Sequence, residues 1–296
     1  MIPSVRVLER ISRRAAFGLR LWDIAGATHL ADGLEIEVTP RERAGSATRA
    51  LPNRSGIYCA SGMPGLRPFE LGDADDSAAW SAALRPYRVT VRDPQGRFLP
   101  FAFDADLPVR GLFDWPGSPP ALPGISGSPP MPIIAGVPLF SAASRPVPGT
   151  LAAVHAELRE FGSERPAAWC LLTVSIDATV CGIGLADDQG RVAVLFPYPE
   201  RPRPTLASPS PAINDFRWSV ELAAYYVPRP PEAPAPAVAD LAQVLAQLAS
   251  PRPLFHSTAS PPQTLPAQPL EYRVPLTVRT DVTPSGPSSY LYLNAA

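Results

Sequence analysis

Alternating apolar and polar residues recur along most of the chain and predict β-strands. In DGLEIEVTP, Leu34, Ile36 and Val38 fall on one face and polar residues on the other. This period of two is typical of a strand with one buried face. The same alternation occurs in PYRVTVRDP, FAFDADLP and, over a longer stretch, DFRWSVELAAYYV. Further strand-like runs are TLAAVHAELRE, AAWCLLTVSID, TVCGIGLAD, RVAVLFPYP, LEYRVPLTVRTDV and SSYLYLNAA. The pattern therefore predicts an all-β chain.

One stretch has helical periodicity instead. In AVADLAQVLAQLAS, residues 237–250, apolar side chains recur at helical spacing at Val238, Leu241, Leu245 and Leu248. Pro251 follows directly, and proline ends a helix because it lacks the backbone donor. The stretch predicts one accessory helix.

Polar turns that end in glycine separate several of the strand-like runs. RDPQGRFL predicts a hairpin turn, because Asp-Pro-Gln-Gly supplies turn residues and a position for positive φ. GLADDQGRVAVLFPYPE contains a similar Asp-Asp-Gln-Gly between two runs. A faint repeat relates LRLWDIAGATHLADGLEIEVTP and the later NRSGIYCA to VHAELREFGSERPAAWCLLTVSI and the later DQGRVAVLFPYP. Two copies predict two similar β-sandwiches in tandem.

Proline divides the chain further. The chain has 296 residues and 40 prolines, and proline is excluded from helix interiors and central strands. Residues 114–149 are dense in Pro, Gly and Ser and have too few periodic apolar positions for elements of their own, so they predict an extended connector. The predicted organisation is a first β-sandwich domain at 1–113, the connector at 114–149, a second β-sandwich domain at 150–227, and a Pro-rich segment, helix and C-terminal strands at 228–296.

Charge and hydropathy narrow the classes of partner. The 26 basic residues are all arginine and stand against 27 acidic residues, for a net charge of −1. This balance does not favour binding to nucleic acid or an anionic membrane. The N-terminal MIPSVRVLERISRRAAFGLRLWD has no unbroken apolar core of a secretory signal. No apolar run approaches the ~18 residues of a membrane span. We therefore expect assembly in the cytoplasm.

The order of strand, small-residue turn, strand and polar-x-Gly turn into an apolar strand resembles the carboxypeptidase-regulatory-like, or transthyretin-like, β-sandwich. NRSGIYCASGMPG and DDQGRVAVLFPYP carry this resemblance. In that family the corresponding segment is a turn into a strand. The resemblance implies the sandwich fold and leaves function open, since sandwiches serve many roles.

A second resemblance covers roughly residues 17–200. NRSGIYCASGMPGLRPFE, PYRVTVRDPQGRFLPFAFDADLPVRGLF and VPLFSAASRPVPGTLAAVHAEL look like baseplate-associated proteins of contractile injection systems, the phage-tail-like particles of bacteria. This resemblance implies a structural subunit that is assembled in the cytoplasm and built into a multi-protein particle, and it leaves open whether the particle is released. It supplies no catalytic residues, and the C-terminal third lies outside it.

Two acidic stretches are candidate ion sites. GDADDSAAW brings Asp73, Asp75 and Asp76 together, and Asp187 and Asp188 stand in the later turn. Carboxylate oxygens are the ligands that Ca²⁺ prefers, but an EF-hand loop counted from Asp73 has alanine and leucine where glycine and glutamate are required. Aspartate also caps turns. We predict solvated turns, and whether either stretch binds an ion stays open.

The remaining catalytic inventory predicts no enzyme. His29, His155 and His256 are far apart and show no HxH or HExxH spacing. The fragment closest to a GxSxG elbow, GISGS, lies in the predicted connector. CGIGLADD lacks the third glycine and the following helix of a dinucleotide site, so its glycines favour a bulge or a close approach of strands. We predict no catalytic, cofactor-binding or metal residues and no cofactor.

The cysteines and the exposed aromatic candidates also favour structural roles. Cys59, Cys170 and Cys181 are odd in number and lack CxxC spacing, so buried free thiols are favoured, although Cys170 and Cys181 could face each other across a hairpin. A sugar platform would require three tyrosines to point outward together. Packing or a protein interface is favoured over that platform, for which the candidates are Tyr225, Tyr290 and Tyr292.

Together these features predict a non-catalytic structural or adaptor subunit that contacts other subunits of a particle, with self-association left open. The proline segments would lie across neighbouring subunits, because their extended form is partly preset. The terminal strand YLYLNAA would add to a partner's sheet edge. The alternative is a stand-alone module that binds a glycan or a cell-surface protein through loops at one end of a sandwich.

Overall fold

The structure is a computed structural model that describes residues 14–42, 46–71, 84–109, 111–113, 136–199, 216–230, 232–257, 261–280 and 288–294. Strands dominate these residues, which confirms the predicted all-β class. Their two helices are α1 (Arg67–Leu71) and α2 (Leu241–Ala246). Neither of these described helices is long and apolar enough to cross a membrane.

Two sheets pack against each other as the N-terminal sandwich. A seven-stranded sheet has the order β1-β6-β5-β4-β7-β8-β15, and a three-stranded sheet has the order β3-β2-β9. The strands are β1 (Phe17–Leu19), β2 (Leu21–Asp23), β3 (Thr28–Leu30), β4 (Glu35–Pro40), β5 (Thr48–Pro52), β6 (Tyr58–Ala60), β7 (Arg85–Arg92), β8 (Phe101–Leu107), β9 (Val137–Leu139) and β15 (Ala239–Asp240).

The alternation seen in the sequence sets the buried face of this sandwich. Ile36 and Val38 of β4 are fully buried, while Glu35 and Glu37 are exposed. On β7, Tyr87 and the valines two and four residues later are likewise buried, as predicted. Strands β7 and β8 pair antiparallel across the predicted hairpin turn. One cluster of buried apolar side chains joins both sheets of this sandwich.

Two further sheets form the C-terminal sandwich. One has the order β13-β10-β20-β17 with β19 also on β10, and the other has the order β12-β11-β14-β16 with β18 also on β14. The strands are β10 (Leu151–Glu160), β11 (Leu171–Ile176), β12 (Thr179–Leu185), β13 (Arg191–Pro197), β14 (Arg217–Tyr225), β16 (Pro251–Arg252), β17 (Leu254–Phe255), β18 (Gln268–Glu271), β19 (Leu276–Thr277) and β20 (Tyr290–Leu293).

The last part of the chain contributes strands alternately to these two sheets. It places β16 on β14, then β17 on β20 in the opposite sheet, then β18 on β14 again, and finally β19 and β20 on β10. A second core fills the space between the sheets. Its members from both sheets include Val154, Leu158, Leu172, Val174, Val194, Val220, Leu270 and Leu291.

Helix α2 joins the two sandwiches. Asp240 caps it by accepting hydrogen bonds from the backbone N–H groups of Ala242 and Gln243, and Arg88 of β7 lies 2.7 Å from the same carboxylate. The apolar side chains of α2 share one cluster with the N-terminal sandwich and with the outward faces of β11 and β12. The second-sandwich members of that cluster are Ala168, Trp169, Leu171, Ile183 and Leu185. Strand β11 is therefore buried on both faces, which explains its continuous apolar run.

Three predictions are corrected by the structure. The helix begins only after Asp240 and continues as a 3₁₀ turn at Gln247–Ala249, because residues 239–240 pair with β8 instead. The connector 114–149 does form an element, since Val137–Leu139 pairs in parallel with β2. The terminal strand Tyr290–Leu293 pairs with β10 along its length and with β17 at its last two residues, so it is built into its own sheet rather than added to a partner's. The domain boundaries stay a prediction, and residues after 227 contribute to both cores.

Candidate functional site

The Asp187 turn is a corner built by its own side chain. The Oδ1 atom of Asp187 accepts hydrogen bonds from the N–H groups of Gln189 and Arg191, both at 2.9 Å. Its Oδ2 atom accepts from the Arg191 guanidinium at 2.9 Å. Gly190 has a φ of +82°, a conformation that glycine adopts without strain. Both carboxylate oxygens of Asp187 are therefore engaged within the turn.

Two other turns have the same geometry. Asp93 accepts from the N–H groups of Gln95 and Arg97, with Gly96 at φ +66°. Asn53 accepts from the N–H groups two and four residues later, with a glycine at φ +70° between them. NRSGI and DDQGRV therefore both form turns that lead into strands, as predicted, and they share the same side-chain-to-backbone hydrogen bonds.

The histidines are dispersed, as their spacing suggested. His29 lies on β3 opposite Trp22, and burial together with the nearby Arg20 lowers the pKa of its imidazole. His155 lies on β10 opposite Ala193, and burial lowers its pKa also. His256 follows β17 on the other edge of that sheet. Within the described ranges, no three His, Cys, Asp or Glu side chains gather where they could hold a metal ion. The Asp73, Asp75 and Asp76 stretch lies outside those ranges.

The thiols and the tyrosines occupy separate structural positions. Cys170 and Cys181 are free; burial raises the pKa of the first to about 12 and of the second to about 11. Cys59 is also free and partly buried, and burial raises its pKa. Tyr225 lies on β14, whereas the other two platform candidates, Tyr290 and Tyr292, lie on β20 in the opposite sheet. The condition for a shared sugar platform is not met.

The glycines of CGIG mark a close approach between strands. A Cβ atom on Gly182 would lie 2.8 Å from the Phe196 ring, and one on Gly184 would lie 2.8 Å from the carbonyl oxygen of Ala193. These glycines let β12 pack closely on β13, as the sequence suggested.

A pocket of about 380 Å³ lies beside the Asp187 corner, and we call it the junction pocket. Residues 229 and 232–235 form one wall, and the end of β10 with the turn that follows it forms the other. Its charged and hydroxyl lining residues are Glu160, Arg165, Asp188, Tyr226, Arg229 and Glu232.

Glu160 lies at the base of the junction pocket and is 2% exposed. Its Oε1 atom accepts from the Tyr226 hydroxyl at 2.8 Å, and its Oε2 atom accepts from Ser163 and Arg165 at 2.7 Å. Burial would raise the pKa of the Glu160 carboxyl, but these hydrogen bonds lower it below its ordinary value. Burial and the bond to Glu160 raise the pKa of Tyr226.

Donors around Glu160 also hold the segment 228–236 in place. Arg165 donates to the backbone carbonyls of Arg229 and Pro230, at 3.3 and 3.4 Å. Arg229 donates to the carbonyl of Ala168, and the indole of Trp169 donates to that of Pro236 at 3.1 Å. Arg229, Pro230 and Pro236 are therefore bound to their own chain, and the expectation that the segment also extends across a neighbour stays a prediction.

Trp169 is the strained residue of this junction. It has a φ of +64°, which is unusual for a bulky side chain. Its backbone carbonyl accepts from Gln247 at 2.7 Å, and the Gln247 amide oxygen in turn accepts from the N–H of Val227. The indole and the backbone carbonyl of Trp169 thus both bind segments from the C-terminal part of the chain. These contacts hold the residue in its strained conformation.

The chemistry of the junction pocket favours fixing the backbone over proton transfer. A general base works best when its pKa lies near the working pH, whereas the pKa of Glu160 is lowered and that of Tyr226 is raised. Sequence reasoning missed Glu160, Arg165 and Arg229. The only available signal was the two charges at either end of EFGSER, which suggest a pair across a tight turn.

Comparison of the chain with protein-family models gave no match, and comparison with curated proteins gave none either.

Proposed function

We propose that this chain is a non-catalytic structural or adaptor subunit of a phage-tail-like contractile injection particle, positioned at its baseplate. The observation that carries the proposal is the junction between the sandwiches. Its charged side chains bind backbone groups of distant segments, as Arg165 does with Arg229 and Pro230. Such side chains fix a shape, which is what a subunit in an assembly requires.

The shared core supports the same role. Helix α2 and the outward faces of β11 and β12 belong to one apolar cluster with the N-terminal sandwich. A buried cluster of this extent resists relative motion of the two sandwiches, because separating them would expose its apolar surface to water. A subunit with one fixed shape presents its contact surfaces at constant spacing.

The type of particle comes from the resemblance of residues 17–200 to baseplate-associated proteins. The stretch PYRVTVRDPQGRFLPFAFDADL, which carries part of that resemblance, forms β7, the Asp93 turn and β8, the fifth and sixth strands of the seven-stranded sheet. The resemblance therefore includes a structural hairpin and its turn, and it lends no catalytic group.

The proposal is tested by sedimentation from the native host. A C-terminally tagged full-length chain is expressed at its natural level, and lysate is resolved on a density gradient. We expect the tag in the fast-sedimenting fractions that hold sheath and tube proteins, and expect it to leave them in a strain whose sheath gene is deleted. A tag confined to the slow fractions, while intact particles sediment normally, would overturn the proposal.

A second candidate function is supported by four aromatic rings at one end of the C-terminal sandwich. The ring of Tyr198 lies 5.7 Å from that of Trp218 and 4.9 Å from that of Tyr272, and Phe216 lies 6.5 Å from Trp218. Trp218 is buried in the second core and the other three rings are partly exposed beside it. Aromatic side chains that are partly exposed in this way are enriched at binding interfaces. Binding of the purified chain to a glycan array, abolished by Tyr272→Ala, would favour a stand-alone binding module.

A further inference from the structure

Strand β14 has one edge that is only partly paired. On that edge β18 pairs with residues 217–220 and β16 pairs with residues 224 and 225. No described strand pairs with residues 221–223 between them, and we call this stretch the β14 gap. The opposite edge of β14 is continuously paired with β11 over residues 221–225.

The backbone of Leu222 is directed into the β14 gap. On the same edge, the carbonyl of Phe216 accepts from Tyr272 and the N–H of Tyr226 donates to Ser250, each at 3.1 Å. Alternate residues of a strand direct their N–H and C=O groups to the same edge. Residues 216, 222 and 226 are separated by even numbers, so the N–H and C=O of Leu222 point outward as well.

Neither flanking segment continues into the gap. If β16 continued its register, Leu254 would come opposite Leu222, but the chain leaves at Pro253 and Leu254 pairs with Leu293 in the other sheet. If β18 continued toward the gap, Pro266 would come opposite Leu222. Proline has no N–H to donate, so it ends a ladder at that point.

The β14 gap opens onto an apolar cavity of about 400 Å³. Its lining is dominated by Leu222, Pro251, Pro253, Leu254 and Leu265. This volume accommodates one large apolar side chain and its backbone. The site therefore offers a donor and an acceptor that no strand of the described residues pairs, and they lie on the sheet edge beside an apolar cavity.

We propose that the β14 gap binds an extended segment of another protein chain, which hydrogen-bonds to Leu222 and places one large apolar side chain in the cavity. An extended peptide backbone offers a donor and an acceptor at the spacing of a sheet edge. The apolar lining disfavours a sugar or a charged group. The inference deepens the proposed function and rests on it in assigning the segment to another subunit of the particle. The gap spans about three residues, or roughly 10 Å, so the segment is a loop tip or a chain end.

The first arm of the test uses the labelled full-length chain and three synthetic peptides. They are acetyl-Gly-Thr-Leu-Thr-Gly-amide, the same peptide with Asp in place of Leu, and the Leu peptide N-methylated at its central residue. We expect the Leu peptide to shift the amide resonances of Leu222, Leu254 and Leu265 saturably at millimolar concentration. The other two peptides should bind at least tenfold more weakly. Equal shifts with all three peptides, or none with the Leu peptide, would overturn the inference.

The second arm blocks the cavity without disturbing the core. Ala223 is exposed on β14 and lines the cavity, so the long side chain of Ala223→Arg obstructs the opening of the cavity while its charged end stays in water. Ser219 is exposed on the same face of β14 and lies outside the cavity, so Ser219→Arg is the matched control. We expect Ala223→Arg to lose Leu-peptide binding and co-sedimentation with the particle, while Ser219→Arg keeps both.

The two proposals fail in different ways. If Ala223→Arg sediments with the particle as the unaltered chain does, the β14 gap is not the contact and the inference falls, while the proposed function stands. If the unaltered chain never sediments with particles, the proposed function falls. In that case the peptide titration still decides whether the gap is a binding site.

Discussion

The Asp93 and Asp187 turns share the sequence Asp-x-Gln-Gly-Arg and nearly the same hydrogen bonds, yet the strands that they connect are arranged differently. The Asp93 turn joins β7 to β8 within one sheet. The Asp187 turn joins β12 to β13, which belong to opposite sheets of the C-terminal sandwich. The same local arrangement, a carboxylate that caps its own turn, therefore occurs both in a hairpin and in a corner between two sheets. The two turns differ in how closely the surrounding backbone packs against them.

The surroundings of the two glycines show that difference. A Cβ atom on Gly96 would meet nothing within 4 Å, whereas one on Gly190 would lie 2.3 Å from the carbonyl oxygen of Leu158. The N–H of Leu158 donates to the carbonyl of Gly190 at 2.8 Å, so the corner is bonded directly to β10. The hairpin turn is also bonded to a neighbouring segment, since Ser144 donates to the carbonyl of Gly96 at 3.4 Å and the N–H of Ala142 donates to that of Arg97 at 2.9 Å. The two turns therefore differ in the space around their glycines rather than in whether they are bonded to other segments.

Of the substitutions in the two turns, Gly190→Ala should have the largest effect on the free energy of unfolding. The added methyl group requires both a strained positive φ and displacement of the β10 backbone, so we expect a loss of about 3 kcal/mol or more in the free energy of unfolding. Gly96→Ala, the matched control, carries only the conformational strain, about 1 kcal/mol. Urea denaturation of both variants measures the difference, and equal losses would contradict the distinction between corner and hairpin.

A smaller effect is expected when the capping carboxylates are removed. Asp93 accepts from three backbone N–H groups and from Arg97, and its side chain is fully buried. We expect Asp93→Ala to cost about 2–3 kcal/mol, because it leaves buried donors unsatisfied. Asp187→Ala removes two backbone acceptances and a contact with the more exposed Arg191, and should cost about 1–2 kcal/mol. Thermal unfolding of the two variants measures which loses more stability. A larger loss for Asp187→Ala than for Asp93→Ala would contradict the prediction.

The Asp93 turn should also contribute to the acid sensitivity of the fold. Burial would raise the pKa of its carboxyl, but hydrogen bonds from Arg97 and from the backbone of Gln95 and Arg97 lower it. A lowered pKa contributes stability that is complete above the unfolded value of about 4 and is lost as the pH falls through the folded value. Asp93→Asn should therefore flatten the stability profile below about pH 4, measured by urea denaturation at each pH. An unchanged slope would show that this carboxyl does not contribute.

The smallest effect is expected for the arginines. The Arg191 side chain is 59% exposed and the Arg97 side chain is 29% exposed. Exposed ion pairs contribute little, so Arg191→Gln should change the free energy of unfolding by less than about 0.5 kcal/mol. Arg97→Gln should cost about 1 kcal/mol, since its partner is buried. A larger loss for Arg191→Gln would mean that the corner depends on its ion pair rather than on backbone capping.

Local features of this fold could be predicted from the sequence. Alternation identified the buried faces of β4, β7 and β14, and the residue types of Asp-x-x-Gly identified the turns, because both depend on neighbours along the chain. The roles of Gly182 and Gly184 as points of close approach also followed from their position in a strand run.

Long-range pairing could not be predicted in the same way. Nothing in the periodicity indicates that residues 239–240 join the edge of β8, or that the final stretch alternates between two sheets. These choices depend on which strand edges remain unpaired after the earlier strands have assembled. The contact of Arg165 with the segment 228–236 and the gap at Leu222 follow from those choices, so they too required the structure.

The central claim, that the chain is a built-in part of a contractile particle, is tested most directly by immunoelectron microscopy of particles purified from the native host. Gold-conjugated antibody against the C-terminal tag should label one end of each contractile particle, the end that carries the baseplate. Particles from a strain lacking the chain should show no label and a defective baseplate end. Complete baseplates in that strain, or label scattered along the sheath, would contradict the claim.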